Sequence, residues 1–502
     1  MVGVGGRSGG IVAGCHTCRR RRVKCDETHP ACKRCAKAKI ICEGYARDLK
    51  FVDEKGRAQK RVQIKRQAYL QAVQAEDKQI KAERRSKSRE SSDGELGPVE
   101  KTLSLAGFRD KVQLSFTIHN LFKGWRLFVP WMMRGYRGTD DCTTTQSVQA
   151  LSAVYFGRMH NDRKIFDLGM ISYCNALRLL GSDLKDNKAA FSVSAVTNVL
   201  ALVIFEMMAC SQGGMIQHLG GVQKIILARG PERHQTLPDL HVLENARLGM
   251  VHGYMEKKKR CFLEEPQWCT VPWIKHPEEK TLFSLITDRK CHMSGLLEDM
   301  EALRTGKLAS PSDIQTLCQE VCTQLHELYT WRAAWEAEYP NCCWTVPVDD
   351  PKFPYSTALY FNTMSRAVEL GHYNTILSLL CRMGRILMGP DFSSTVPAIS
   401  IPIVRTNPWL LLPGDPKTIQ DVGTEFLRLV PYILGEHTSG GYFQVMFPLR
   451  ATFEVFPPGS DEWNYCQRTF NEIADDGGFE VARRMMPNGL AGRMLQDQEN
   501  FT

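Results

Sequence analysis

Long hydrophobic runs are missing from this 502-residue chain. The best apolar stretch, Val199 to Phe205, stops at Glu206, far short of the roughly 20 residues a helix needs to cross a bilayer. No membrane partner is expected. Residues 1–14 are Gly-rich without an apolar segment, so they read as a disordered lead-in and not as a secretory leader. Catalytic signatures are equally scarce. There is no G-x-S-x-G elbow, no phosphate-binding loop and no H-E-x-x-H; the nearest pair, His326-Glu327, lacks a second histidine. No enzyme is expected, and no catalytic residue is assigned. Twelve of the 18 cysteines, from Cys142 to Cys466, follow no framework spacing, which points to a reducing interior.

The other six cysteines do follow a pattern. Cys15, Cys18, Cys25, Cys32, Cys35 and Cys42 read C-x2-C-x6-C-x6-C-x2-C-x6-C. Thiolates are soft ligands suited to zinc, which takes four ligands in a tetrahedron at structural sites. Two such ions need eight metal–sulfur bonds, and six sulfurs supply them only if two bridge. The spacing is a doubled C-x2-C-x6-C, so the bridging pair is the first cysteine of each half, Cys15 and Cys32. Two zinc ions per chain are expected. A disulfide knot or unrelated zinc chemistry would need other company, since secretory features are lacking.

Cations crowd between these ligands. Arg19, Arg20, Arg21, Arg22 and Lys24 fall between Cys18 and Cys25, and Lys33, Arg34, Lys37 and Lys39 follow Cys32. Arginine presents a planar fork that can bond guanine O6 and N7 together, while the second set suits phosphates. A plainer account makes the arginines an import signal, or an offset for the charge of about −2 that six thiolates leave on two zincs. That explains some of the cations but not their concentration between ligands. Residues 1–50 hold 12 Lys+Arg against 4 Asp+Glu, and residues 101–502 hold 40 against 42. The basic balance therefore belongs to the N-terminal part, and double-stranded DNA is the expected partner.

The stretch CHTCRRRRVKCDETHPACKRCAKAKIIC resembles the DNA-binding module of the fungal binuclear zinc-cluster transcription factors. The resemblance implies that each half is a short helix followed by an extended strand. The halves would be joined by a proline-bearing loop, where Pro30 stands. It implies base reading by Arg21 and Arg22 at the end of the first helix, backbone contacts by Lys24, Lys33 and Arg34, and a CGG-like triplet as the half-site. The position of Arg22 is more usually lysine in that family. A nuclear destination follows from the same resemblance.

Beyond the module, residues 46–100 read as a polar linker, with a dimerisation helix from about Arg57 to Arg85 as one reading and a charged, frayed helix as the other. A homodimer is thus an open arrangement. From residue 101 to 502 apolar residues recur at helical spacing, over Ser147–Met159, Lys164–Leu180, Val193–Cys210, Met215–Ala228, Leu237–Met255 and Ala358–Leu387. The expected fold is all-α: a small zinc-cluster module of two short helices over 15–45, then a large multi-helix domain. A six-proline loop from Gly389 to Pro416 is expected to cross its surface. The segments LSAVYFGRMHNDRKIF, HLGGVQKIILARGPE, FLEEPQWCTVPW and GGFEVARRMMP resemble the regulatory region of the same transcription factors. That implies a domain answering to a small-molecule inducer or to the transcription machinery; control of a biosynthetic gene cluster is an analogy only. A helical scaffold with non-specific DNA binding is the alternative, and a helical enzyme fused to a DNA module the third.

Four weaker patterns are read structurally. Cys318, Cys322 and His326 share a helical face and are expected to be a core stripe. Gly220-Gly221 is expected at a helix start or a close contact, and Lys257–Arg260 at a solvated helix end. Asp140-Asp141 and Asp349-Asp350 fall in loops, with nothing to suggest acid–base work.

Overall fold

The computed structural model describes residues 15–26, 28, 32–42, 108–122, 128–136, 141–209, 212–308, 310–389, 392, 403–435 and 439–486. By internal contacts the chain divides into two units, Met1–Gly94 and Glu95–Thr502. The expected lead-in over 1–14, the linker with its dimerisation helix, and Pro30 lie outside the described residues.

In the first unit two five-residue helices, α1 (His16–Arg20) and α2 (Lys33–Lys37), face one another. Their core consists of Cys15, Cys18, Cys32 and Cys35, with Val23, Cys25 and Cys42 packed against it. So little apolar surface cannot offset the entropy of ordering the chain.

The second unit carries α3 (Arg109–Asn120), α4 (Phe128–Tyr136), α5 (Cys142–Met159), α6 (Arg163–Asp183), α7 (Asn187–Ala190), α8 (Val193–Ala209), α9 (Gln212–Arg229), α10 (Leu237–Glu256), α11 (Pro266–Thr270), α12 (Leu282–Arg304) and α13 (Pro311–Glu338). A strand pair, β1 (Cys343–Pro347) and β2 (Thr357–Phe361), follows, then α14 (Met364–Met388), α15 (Ile419–Gly435), α16 (Ser439–Phe453) and α17 (Asp461–Asp475). α8 is apolar nearly all round and buried from Ala195 to Met208, as a central helix must be. α5 and α6 form a tight antiparallel pair. Asp141 and Asp162 cap their starts, accepting from Thr144 N and from Lys164 N and Ile165 N. A Cβ at Gly157 would come within 2.5 Å of Phe166 N, and one at Gly169 within 2.7 Å of Val154 N, so only glycine permits this approach.

Helices occupy the expected segments with one correction. The expected helix Ala358–Leu387 begins only at Met364; Ala358 belongs to β2, which pairs antiparallel with β1, Cys343 opposite Phe361. The run Ala-Leu-Tyr-Phe reads equally well as a helix turn or a buried strand, and Asn362-Thr363 separates the two elements.

The described part of the proline-rich loop does not merely cross the surface. Asn407 is 0% exposed and Leu410 1%. Glu336 on α13 explains this burial. Its Oε2 accepts from Thr406 N at 3.0 Å and from Asn407 N and Nδ2, both at 3.1 Å. Its Oε1 pairs with the fully buried Arg332 at 2.8 Å. Nearby on α14, Glu369 Oε2 accepts from Trp335 Nε1 at 2.8 Å. Burial pushes the Glu369 carboxyl up to about 7, while Arg366 and the Trp335 bond pull it back.

Candidate metal centre and nucleic-acid interface

Four sulfurs converge in the first unit. Cys15 and Cys32 Sγ are 3.6 Å apart, Cys15–Cys35 and Cys18–Cys32 both 3.7 Å, and Cys18–Cys35 3.8 Å. All four side chains are 0% exposed. Among the described residues they are the group of possible metal ligands whose donor atoms lie within 4.8 Å of one another. Two sulfurs on one tetrahedral zinc at about 2.3 Å stand about 3.8 Å apart, so this donor set fits zinc. Cys25 and Cys42 are half-buried against the same core.

The two halves repeat at an offset of 17 residues. Cys18 N donates to Cys15 Sγ at 3.3 Å and Cys35 N to Cys32 Sγ at 3.2 Å. Cys15 N donates to Cys25 Sγ and Cys32 N to Cys42 Sγ, both at 3.4 Å. Each half thus folds its third cysteine back beside its first, and Cys15 and Cys32 occupy equivalent central places. Burial pushes the Cys15, Cys18 and Cys35 thiols above the ordinary range, Cys35 to about 12. A metal must displace those protons to bind.

The helix ends repeat as well. Val23 N donates to Cys18 O at 3.0 Å and Ile40 N to Cys35 O at 3.1 Å, the six-to-one bond of a Schellman cap. Such a cap needs a left-handed residue, usually glycine. Here the positions hold Arg22 at φ 54° and Lys39 at φ 53°. The backbone turns sharply at each, and both side chains are exposed. Thr17 Oγ1 donates to Ile41 O at 3.1 Å, tying α1 to the chain beyond α2.

Arg20, Arg21, Arg22 and Lys24 are exposed around the end of α1, and Lys33 and Arg34 at the start of α2. Arg19 lies within α1. One contributor escaped the sequence reading. Asp26 accepts from Lys33 N at 3.1 Å and Arg34 N at 2.7 Å, covering the open amides at the start of α2. Its bond from Thr28 chiefly, with those amides, holds its carboxyl down at about 2. It stands seven residues before the helix it caps, too far for the local capping pattern to announce it.

The weaker patterns resolve differently. Cys318, Cys322 and His326 are not a core stripe. The buried face of α13 is Leu317, Val321, Leu325 and Leu328, while Cys318 and Cys322 are half-buried and His326 is exposed. Gly220-Gly221 lies inside α9, where a Cβ on either would meet nothing closer than 3.8 Å. Lys258 and Lys259 at the end of α10, with Arg260, are held by acids of α12: Glu301 at 2.9 Å, Glu298 at 2.6 Å and Asp299 at 2.6 Å. Asp141 caps α5, and Asp350 accepts from Lys352 N at 2.9 Å. No helix among the described residues is long and apolar enough to cross a membrane.

Comparison with known proteins bears on the cysteine unit. Residues 13–50 match the family model of the fungal Zn(2)-Cys(6) binuclear cluster domain, which binds two zinc ions. An uncharacterized protein of Emericella nidulans is 29% identical over 24% of this chain and 26% of its own length. The transcriptional regulatory protein moc3 of Schizosaccharomyces pombe is 66% identical over 6% of each chain. The arginine metabolism regulation protein II of Saccharomyces cerevisiae is 55% identical over 8% of this chain and 4% of its own. The chain thus aligns with about a quarter or less of these relatives. No solved structure matches it.

Proposed function

We propose that this chain is a nuclear, sequence-specific DNA-binding transcription regulator built from a zinc-cluster reader over 15–45, a polar linker over 46–100 and a helical regulatory domain over 101–502. Cys15, Cys18, Cys25 and Cys32 hold one zinc, and Cys32, Cys35, Cys42 and Cys15 the other, with Cys15 and Cys32 shared. Zinc supplies no reaction here; it cross-links two halves that lack an apolar core of their own.

Arg21 and Arg22 read base edges of a CGG-like triplet, and Arg19, Arg20, Lys24, Lys33 and Arg34 set the module on the phosphates. The observation that carries this reading is the pair of helix ends at Arg22 and Lys39, where a long exposed cation occupies each left-handed position of a capped turn beside the cysteine core. A backbone fixed in this way aims the side chain leaving it, which base reading requires and diffuse charge does not. The helical domain answers to an inducer or to the transcription machinery, and a second copy joins through the linker. The proposed role in controlling a biosynthetic gene cluster is an extension of the same reading.

The test is salt-titrated binding of the full-length, zinc-loaded protein to duplexes with CGG triplets and to scrambled duplexes. A specific reader prefers the former by about a thousandfold or more at physiological salt. Equal affinity for both at every salt concentration would favour the scaffold with non-specific binding.

A further inference from the structure

Four helices of the second unit bring basic side chains together in the core without a carboxylate to answer them. His252 stands on α10, Lys290 on α12 and His372 on α14, and Phe447 of α16 packs against them. Lys290 is 1% exposed and His372 2%. Lys290 Nζ lies 3.1 Å from His372 Nδ1 and 4.5 Å from the centre of the Phe447 ring. The His252 ring stacks on Phe447 with centres 3.9 Å apart. His252 and Phe447 are half-buried, so the cluster reaches from the core toward the surface.

A charged lysine can only donate, so it bonds to Nδ1 and leaves the His372 ring proton on Nε2. That Nε2 is buried and has no partner, and the same is true of His252 Nε2. Lys290 forms no ion pair among the described residues. Asp288, two positions before it on α12, is taken by Arg247 and by Lys280 at 2.8 Å. Burial pushes the Lys290 amine well below the ordinary lysine range, with Cys291 pulling the other way. His372 and His252 are pushed down by burial and by Lys290. Buried polar groups rarely go unpaired without a reason, and a buried charge needs a counter-charge. A water would satisfy one nitrogen and leave the lysine's charge unanswered. A metal ion would meet a lysine and no carboxylate.

We propose that this cluster is a binding site for a small carboxylate, with one oxygen on Lys290 Nζ and the other on His372 Nε2. A carboxylate brings two acceptors and the missing negative charge together, and its bonds to a lysine and a histidine N–H are of the charge-assisted kind. Its arrival stabilises the ammonium form of Lys290, so binding takes up a proton. The site lies within the helical unit, and it stands whether or not that unit answers to an inducer or the chain reads DNA.

Calorimetry of the full-length, zinc-loaded protein with sodium acetate tests this, at pH 8 in two buffers of different ionisation enthalpy, with sodium chloride as the control. Saturable binding of acetate but not of chloride is expected, with proton uptake. Lys290→Met removes the charge while keeping an unbranched stem, and it should abolish both the binding and the proton uptake. His372→Phe, a second variant, keeps a ring against Phe283 and should weaken acetate about tenfold or more, the measure of a lost charge-assisted bond. No saturable acetate binding, equal binding of chloride, binding without proton uptake, or wild-type affinity in either folded variant would overturn the assignment. DNA binding by the cysteine unit should not change in these variants, so failure here leaves that reading intact.

Discussion

The two units solve the stability problem in opposite ways. The helical unit buries a large continuous core, in which one helix, α8, is enclosed from Ala195 to Met208. The cysteine unit has four sulfurs at its centre and two five-residue helices around them. A fully buried Leu or Phe contributes about 1.5–3 kcal/mol, and the helical unit has dozens of buried apolar residues while the described residues of the cysteine unit include almost none beyond the cysteines. Stability by apolar burial is spread over many residues and degrades gradually. Stability by ligation is concentrated in a few atoms and is lost at once.

The largest effect expected from that contrast is chelation. Removing zinc should unfold the cysteine unit, abolishing amide protection over 15–42, while the helical unit keeps its circular dichroism and its melting transition. Persistence of protection without metal would break the comparison.

Within the helical unit the largest single loss should come from Glu336→Ala. It strands Arg332, fully buried, and removes the acceptor for Thr406 and Asn407. A buried pair deprived of one partner costs about 3–5 kcal/mol, to be read from chemical denaturation. Half-site binding by the zinc-loaded cysteine unit should not change.

Glu369 gives the pH dependence. Its carboxyl is raised from 4.5 to about 7 by burial, so the fold favours the neutral form. Its contribution is complete below the unfolded value of about 4.5 and is lost as pH rises through about 7, a loss on the order of 2–3 kcal/mol by linkage. Denaturation at pH 5 and pH 8 should show it, and Glu369→Gln should flatten the difference.

The smallest effects concern the proposed DNA contacts and sharpen the account of the cysteine unit. Arg22→Ala should cost about 1–3 kcal/mol on a CGG triplet and much less on scrambled DNA. Lys33→Ala should weaken all duplexes alike and lower the salt slope by about one unit. The same uniform loss from both variants would reduce the arginines to diffuse charge.

The same contrast explains what could be read in advance. The convergence of Cys15, Cys18, Cys32 and Cys35 was legible because metal spacing is a local pattern with few alternatives. The helices from α5 to α10 were legible because a single helix face shows its period. Strand β2 was not, since four consecutive apolar residues carry no period. The burial of Asn407 was not, because it depends on Glu336, 71 positions away. Asp26 escaped for the same reason at shorter range. The left-handed turns at Arg22 and Lys39 were hidden because glycine, their usual marker, is absent. The face of α13 was misjudged because cysteine is apolar enough to suit either side.

If Arg22 reads bases as proposed, its left-handed backbone sets a conflict between folding and reading. A side chain with a Cβ held at φ near 54° costs about 1 kcal/mol that glycine would not. Random libraries at positions 22 and 39, sorted only for a protease-resistant fold, should therefore enrich glycine at both. Sorting for duplex discrimination should instead restore a long cation at 22. On the proposed reading the two sorted populations would diverge at that residue, and the divergence would measure the foldability exchanged there for recognition.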